Sequence, residues 1–144
     1  SGMISTNDLV EPFEARNIHP RNKTTVGKRL CYLALTRTYG VKGNVDQGPI
    51  YQSMEIKDGK AIISFSNAPE GFSRMNGIEG FEVAGADKVF YPAVAVVDWN
   101  KHIIVSSDQV PQPVAVRYAF KNFQPGNLHN HREQPVFPFR TDNW

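Results

Sequence analysis

Residues 50–66 read IYQSMEIKDGKAIISFS, two strand-like runs on either side of Asp58-Gly59. An Asp-Gly dipeptide tolerates positive φ at both central positions of a type I′ turn, whose twist matches that of the antiparallel strands it joins. The stretch therefore predicts a β-hairpin with strands over Ile50–Lys57 and Lys60–Ser66.

Further short runs after the hairpin have the same strand character. In the last of them Val116 and Tyr118 alternate with Ala115 and Arg117, which predicts that one face of the strand is turned toward a core. Strands at this spacing, joined by turns rather than helical crossovers, predict a mainly β protein with an antiparallel β-sandwich. The four additional strands are expected at residues 81–84, 91–98, 102–107 and 114–120.

One α-helix is expected before the hairpin, over residues 24–38. Apolar residues recur there at helical spacing, and Gly40 follows where a left-handed C-terminal residue is favoured. Residues 3–22 show no such period and are expected to form a loop. The apolar positions of the helix predict a stripe that packs on the rest of the protein. These positions are Val26, Leu30, Leu33 and Ala34.

The segment after Phe120 is rich in proline, asparagine and histidine, and it ends in PFRTDNW, residues 138–144. Each large aromatic side chain left in water forgoes about 2 kcal/mol. We therefore expect this tail to dock on the sandwich. Arg140 and Asp142 are predicted to fix its last turn through a charge-assisted hydrogen bond.

Composition excludes several classes of partner. The 144 residues carry 16 Lys+Arg and 14 Asp+Glu, a formal charge of +2, without the basic stripe of a nucleic-acid-binding protein. The apolar run at residues 93–97 is far shorter than the ~20 residues of a membrane-spanning helix. Cys31 is the single cysteine, and no Cys/His cluster has metal-ligand spacing. We expect no nucleic acid, no membrane, no metal and no cofactor.

A histidine stands in a stiff turn just before the predicted helix, in NIHPRNK, residues 17–23. Taken alone, a loop histidine such as His19 is most often a surface residue or a structural hydrogen-bond donor. Its sequence context favours another interpretation. NDL at 7–9, IHPRNK at 18–23 and VGKRL at 26–30 resemble the last catalytic block of the sialate O-acetylesterase family, which belongs to the SGNH hydrolase superfamily. PVAVRY at 113–118, GNLHN at 126–130 and PFRTDNW at 138–144 resemble the closing segment of the same family.

The resemblance implies an exported serine esterase that removes acetyl groups from sugars. In that family a serine attacks the acetyl carbonyl and a histidine, matched here by His19, takes its proton. The family serine lies in a Gly-Asp-Ser block that this sequence lacks. We therefore expect a C-terminal fragment that is inactive alone. Residues 1–40 would end an α/β SGNH catalytic domain and contribute the one helix, and residues 41–144 would form the sandwich domain with its docked tail.

The partners implied are an O-acetylated sugar and the remainder of the catalytic domain. The acid that would orient His19 has several candidates, because the family places it two or three positions before the histidine, where this sequence has Asn17 and an arginine. Asp8, the nearest aspartate, is the alternative, and Glu11 and Glu14 are weaker candidates. Asn17 could hold the ring through its side-chain carbonyl, but it cannot stabilise an imidazolium as a carboxylate does.

A second hypothesis is a non-catalytic β-sandwich that binds carbohydrate or serves as a structural module. The missing serine favours it, and Trp99, Tyr91 and Phe90 could form a platform for stacking sugars, although packing in a core or turn is the more frequent fate of such aromatics. His129 and His131 lie two residues apart and could approach a metal. Without a third ligand nearby, they are expected to be solvent-exposed loop residues.

Overall fold

The computed structural model describes residues 1–17, 19, 21–73 and 77–144. In chain order its elements are a 3-10 turn at Pro12–Glu14, helix α1 at Lys23–Arg37, and strands β1 Ile50–Lys57, β2 Lys60–Ser66, β3 Phe81–Ala84, β4 Phe90–Pro92, β5 Val94–Val97, β6 Ile103–Ser106, β7 Ala115–Tyr118 and β8 Phe139–Arg140. In the described part of the chain, no helix combines the length and hydropathy that spanning a lipid bilayer requires.

The strands form two four-stranded antiparallel sheets, ordered β1-β2-β6-β5 and β4-β3-β7-β8. Their inner faces share one hydrophobic core, in which Ile63 and Val105 of the first sheet and Val83 and Val116 of the second are fully buried. The mainly β, antiparallel sandwich with one helix that the sequence predicts is confirmed.

The hairpin forms over the predicted residues. Asp58 and Gly59 have φ of 50° and 72°, as a type I′ turn requires, and Lys57 pairs with Lys60 directly beside the turn. Local turn chemistry therefore sets the register of the two longest strands.

The single strand expected at 91–98 is wrong, because the chain changes sheets within it. β4 pairs with β3 in one sheet, and β5 pairs with β6 in the other. Pro92 ends β4, and since proline lacks an N–H it is suited to an edge strand. The next N–H, that of Ala93, donates to the carbonyl of Phe81 at 3.1 Å.

Helix α1 begins after Asn22, whose side chain accepts a hydrogen bond from the N–H of Thr25 at 3.1 Å. The expected buried stripe is only partly present, since Leu33 is buried but Leu30 is 49% exposed. Arg29, the residue before Leu30, is buried in its place. An apolar period does not predict this face, because the side chain that orients the helix is charged and buried against charged partners.

The tail is part of the second sheet, because β8 pairs with β7. The Phe139 ring stacks on Tyr51 with centroids 5.0 Å apart and meets Phe65 edge-on at 5.7 Å. Through these contacts the tail reaches β1 and β2 of the opposite sheet. It thus joins the two layers of the sandwich.

The charge pair that fixes the last turn has a different main partner from the one expected. Arg117 of β7 donates from Nε and Nη2 to the carboxylate of Asp142 at 2.9 and 2.8 Å. Arg140 donates instead to the main-chain carbonyl of Asp142, at 3.0 Å. Arg117 is better placed because β7 lies beside the tail, and a two-point guanidinium contact is the strong form of this interaction.

Replacing Phe139 by alanine is expected to lower the free energy of unfolding by about 3–5 kcal/mol, since the ring fills the junction between both sheets. The matched control is Trp144→Ala in the same tail. Trp144 is 42% exposed, and its contact with the Lys88 ammonium is worth about 1 kcal/mol or less. Denaturant unfolding measures both variants, and equal losses would contradict the role given to Phe139.

Candidate functional site

His19 is exposed, in a turn between the 3-10 turn and α1. Its backbone N–H donates to Oδ1 of Asn17 at 3.0 Å. The side-chain carbonyl of Asn17, which could have held the imidazole ring, thus bonds the backbone of the turn. The residues on either side of His19 lie outside the described part of the chain.

Glu14 closes the loop that carries His19. This glutamate is only 2% exposed. Its Oε2 accepts from the N–H of Glu11 and its Oε1 from the N–H of Arg21, both at 2.9 Å. One buried carboxylate therefore joins the backbone before and after the histidine. This arrangement makes Glu14 a brace for the loop, whereas sequence analysis identifies it only as a weak candidate for the catalytic acid.

Asp8 and Arg29 form a buried ion pair, with each side chain only 7% exposed. Nη1 and Nη2 of Arg29 donate to Oδ1 and Oδ2 of Asp8 at 2.7 and 2.6 Å. Nη1 also donates to the carbonyl of Ser5 at 2.8 Å. The guanidinium thereby fixes the N-terminal segment against α1 with charge-assisted hydrogen bonds.

His129 extends this pair to the C-terminal tail. Its Nδ1 lies 2.7 Å from the carbonyl oxygen of Asn127 and its Nε2 lies 3.1 Å from Oδ2 of Asp8. Both partners are acceptors, so this pair of contacts favours the doubly protonated imidazolium form of the ring. The hydrogen bond to Asp8 is the main cause that raises the pKa of His129. The expectation of an exposed loop histidine is therefore wrong for His129, because a carboxylate 121 residues away in sequence holds it.

Burial alone would raise the pKa of Asp8. The hydrogen bonds from Arg29 and His129 outweigh that effect and lower its pKa to about 2. The Asp8 carboxylate is therefore charged at neutral pH and already contacts the Arg29 guanidinium and the His129 ring.

The structure does not connect the two predicted catalytic side chains. Within the described residues, no hydrogen bond or ion pair joins Asp8 to His19, and the hydrogen bonds of Asp8 go to Arg29 and His129. The catalytic assignment of both residues stays a prediction. His131 is exposed, with Nδ1 3.4 Å from Oγ of Ser73. No group of three or more potential metal ligands occurs in the part of the chain that the structure describes.

A cavity of about 700 Å³ opens beside the histidine loop, between the N-terminal segment and the sandwich. Arg16 and Asn17 contribute its polar side near His19, whereas Ile4 and Phe137 contribute apolar walls. Sites for small molecules combine such apolar walls with a few polar groups. The loop that carries His19 thus borders space that a ligand could occupy.

Nearly the whole chain is similar to part of a solved structure. A carbohydrate acetylesterase from Xanthomonas citri matches it with a TM-score of 0.82 and 38% sequence identity over 95% of this chain. The chain spans 31% of the length of that protein. No family model matches the chain, and no curated protein matches it. The chain therefore shares its fold and more than a third of its residues with one part of an esterase.

Asp8, Arg29 and His129 together form a charged cluster, here called the Asp8 cluster. It predicts a definite pH dependence of the free energy of unfolding. The contribution of Asp8, whose pKa is lowered, is present above its unfolded value of 3.8 and is lost as pH falls toward about 2. The contribution of His129, whose pKa is raised, is present below its unfolded value of 6.5 and is lost as pH rises through the folded value. Together they stabilise most between these two limits.

The measurement is the free energy of unfolding against pH for the chain and for His129→Gln, which cannot carry charge. The difference between the two proteins should be largest near pH 5 and should shrink at alkaline pH. His131→Gln serves as the control, because His131 is exposed and its ring contacts the hydroxyl group of Ser73 and not a carboxylate. A difference for His129→Gln that does not vary with pH would show that the imidazolium is absent.

Proposed function

We propose that this chain is the C-terminal part of a carbohydrate O-acetylesterase of the sialate O-acetylesterase type, which hydrolyses acetyl esters with a serine and a histidine. The observation that carries the proposal is the 38% identity over 95% of the chain to a carbohydrate acetylesterase. The histidine block and the closing blocks of the sequence support it, because they follow the order of the family. The O-acetylated sugar is the substrate, and its identity as a sialic acid rests on the resemblance alone.

His19 is the proposed general base. A serine from the part of the catalytic domain outside this chain would attack the acetyl carbonyl while His19 accepts the proton of its hydroxyl. His19 then returns that proton to the sugar oxygen as the C–O bond breaks, which leaves an acetyl-serine. Water then attacks the acetyl carbonyl while His19 accepts its proton, and His19 passes that proton to the serine oxygen as the acetyl–serine bond breaks and acetate leaves. The exposure of the His19 turn supports this role, because its ring is open to a second segment.

Asp8 is proposed as an anchor for the loop and not as the acid of a triad. A triad carboxylate hydrogen-bonds the imidazole of the base and stabilises its positive charge. Asp8 already gives both oxygens to the guanidinium of Arg29 and one of them also to His129. Orientation of His19 then comes from its loop, which Glu14 holds closed.

The isolated chain is expected to leave p-nitrophenyl acetate unhydrolysed above the buffer background, because His19 has no serine to activate. In the full-length protein, His19→Ala is expected to lower kcat/KM by at least about 10²–10⁴-fold, the contribution of a general acid–base residue. His102→Ala is the matched control and should retain full activity. Saturable hydrolysis by the isolated chain that is lost in its His19→Ala variant would overturn the proposal.

The Asp8→Asn variant distinguishes the two possible roles of Asp8, an anchor for the loop and the acid of a catalytic triad. If Asp8 is an anchor, the variant of the full-length protein should unfold at a lower temperature, because Arg29 is left buried and unpaired at a cost of about 3–5 kcal/mol. Its kcat, measured well below that temperature, should stay within a few-fold of the native value. A loss of kcat near 10⁴-fold in a folded variant is the outcome for a triad acid and would contradict the anchor.

A further inference from the structure

We propose that the sandwich carries a binding groove for a neutral glycan, formed by three loops and the Trp99 side chain, at a place separate from the His19 loop. The loops are residues 44–47, 67–71 and 130–132, which enclose a cavity of about 190 Å³. A second cavity of about 360 Å³ adjoins it, shares Glu70 and His131 as walls, and contains Trp99. Together they reach the size of an ordinary small-molecule site.

The walls of the groove are held in place by their own contacts. Buried Asn130 accepts with Oδ1 from the N–H groups of Arg132 and Gln134, both at 3.0 Å. On the opposite side, Arg37 of α1 donates to Asp46 at 2.7 Å and to Gln47 at 2.6 Å. A groove that is already formed loses little conformational entropy when a ligand binds.

Charged side chains of both signs line the groove, which favours an uncharged ligand. Glu70 and Arg132 are in contact at 2.8 Å, and Asp46 pairs with Arg37. The Lys101 ammonium donates to the carbonyl of Pro69. Among the described lining residues, acidic Asp46, Glu70 and Asp98 alternate with basic Lys101 and Arg132, so neither sign forms a patch that would attract an ionic ligand.

Free amide groups line the same walls. The side chains of Asn44 and Asn67 border the groove and make no hydrogen bond with another residue in the described ranges. An amide offers both donors and an acceptor, which matches the vicinal hydroxyl groups of a sugar. A neutral ligand rich in hydroxyl groups is therefore the class that these side chains recognise.

Trp99 adds a flat apolar surface at the end of the groove. Its side chain is 85% exposed in the turn between β5 and β6. The turn is rigid, because Oδ1 of Asp98 accepts from the N–H groups of Asn100 and His102, both at 2.8 Å. An indole ring presents a face on which the C–H groups of a pyranose can pack, while hydroxyls at the ring edge remain available to the amides. The stacked sugar and the amide contacts together specify a glycan chain.

Affinity gel electrophoresis of the chain with arabinoxylan, glucomannan and hydroxyethylcellulose tests the groove, with colominic acid as the anionic comparison. At least one neutral polysaccharide should retard the chain, and colominic acid should not. Trp99→Ala should weaken the retardation at least tenfold and Asn44→Ala several-fold, each with an unchanged circular dichroism spectrum. Tyr39→Ala is the control, since Tyr39 is 74% exposed but does not border the groove.

The proposed groove would be contradicted if no neutral polysaccharide retarded the chain. It would also be contradicted if folded Trp99→Ala were retarded as strongly as the native chain, or if colominic acid retarded the chain more strongly than the neutral polysaccharides did. Should Trp99→Ala fail to fold, the Asn44→Ala result decides alone. The assay needs no ester hydrolysis, so the groove and the proposed esterase can fail separately.

Discussion

The buried ion pair between Asp8 and Arg29 is the constraint on which the position of the candidate site depends. Only Arg29 and Leu33 of α1 are buried, so the helix has little apolar contact to hold it. The pair closes a loop between residues 8 and 29, and Glu14 closes a smaller loop between residues 11 and 21 inside it. His19 lies within both. A charge pair with so little exposure is costly to break, because either partner alone would remain buried and uncompensated.

Local chemistry explains what could be predicted of the fold. The hairpin follows from two residues, Asp58 and Gly59, that adopt positive φ, and its strands have the predicted bounds. The break between β4 and β5 could not be predicted from local sequence. It depends on which of the two sheets has a strand available to pair with the residues on each side of Ala93. The prediction that Leu30 is buried is wrong for a related reason. Apolar residues do recur at helical spacing, but the neighbouring Arg29 pairs with the buried carboxylate of Asp8. This ion pair decides which face of the helix is buried.

In the candidate site, too, the features set by local sequence could be predicted and those set by tertiary packing could not. His19 is identified by the motif around it, and the capping pattern of Glu11 and Glu14 before a turn is a local signal that indicates the brace. From the sequence Asp8 is preferred over Glu11 and Glu14, although both glutamates stand nearer to His19 in the chain. Sequence proximity does not say which cation a carboxylate meets, and here the cations come from positions 29 and 129. Contacts over such separations are set by tertiary packing and leave no local pattern.

The charge of the Asp8 cluster bears on the proposed mechanism. The Arg29 guanidinium already neutralises the Asp8 carboxylate, and protonation of His129, whose pKa is raised, adds a second positive charge to the cluster. A second imidazolium, formed at His19 during proton transfer, would gain no stabilisation from a carboxylate already neutralised in this way. In the proposed esterase, rigid placement must therefore supply what a triad acid supplies elsewhere, and water around the exposed turn must solvate the charge. The nested loops closed by Asp8 and Glu14 place the backbone that carries His19, since moving that backbone requires breaking buried, charge-assisted hydrogen bonds.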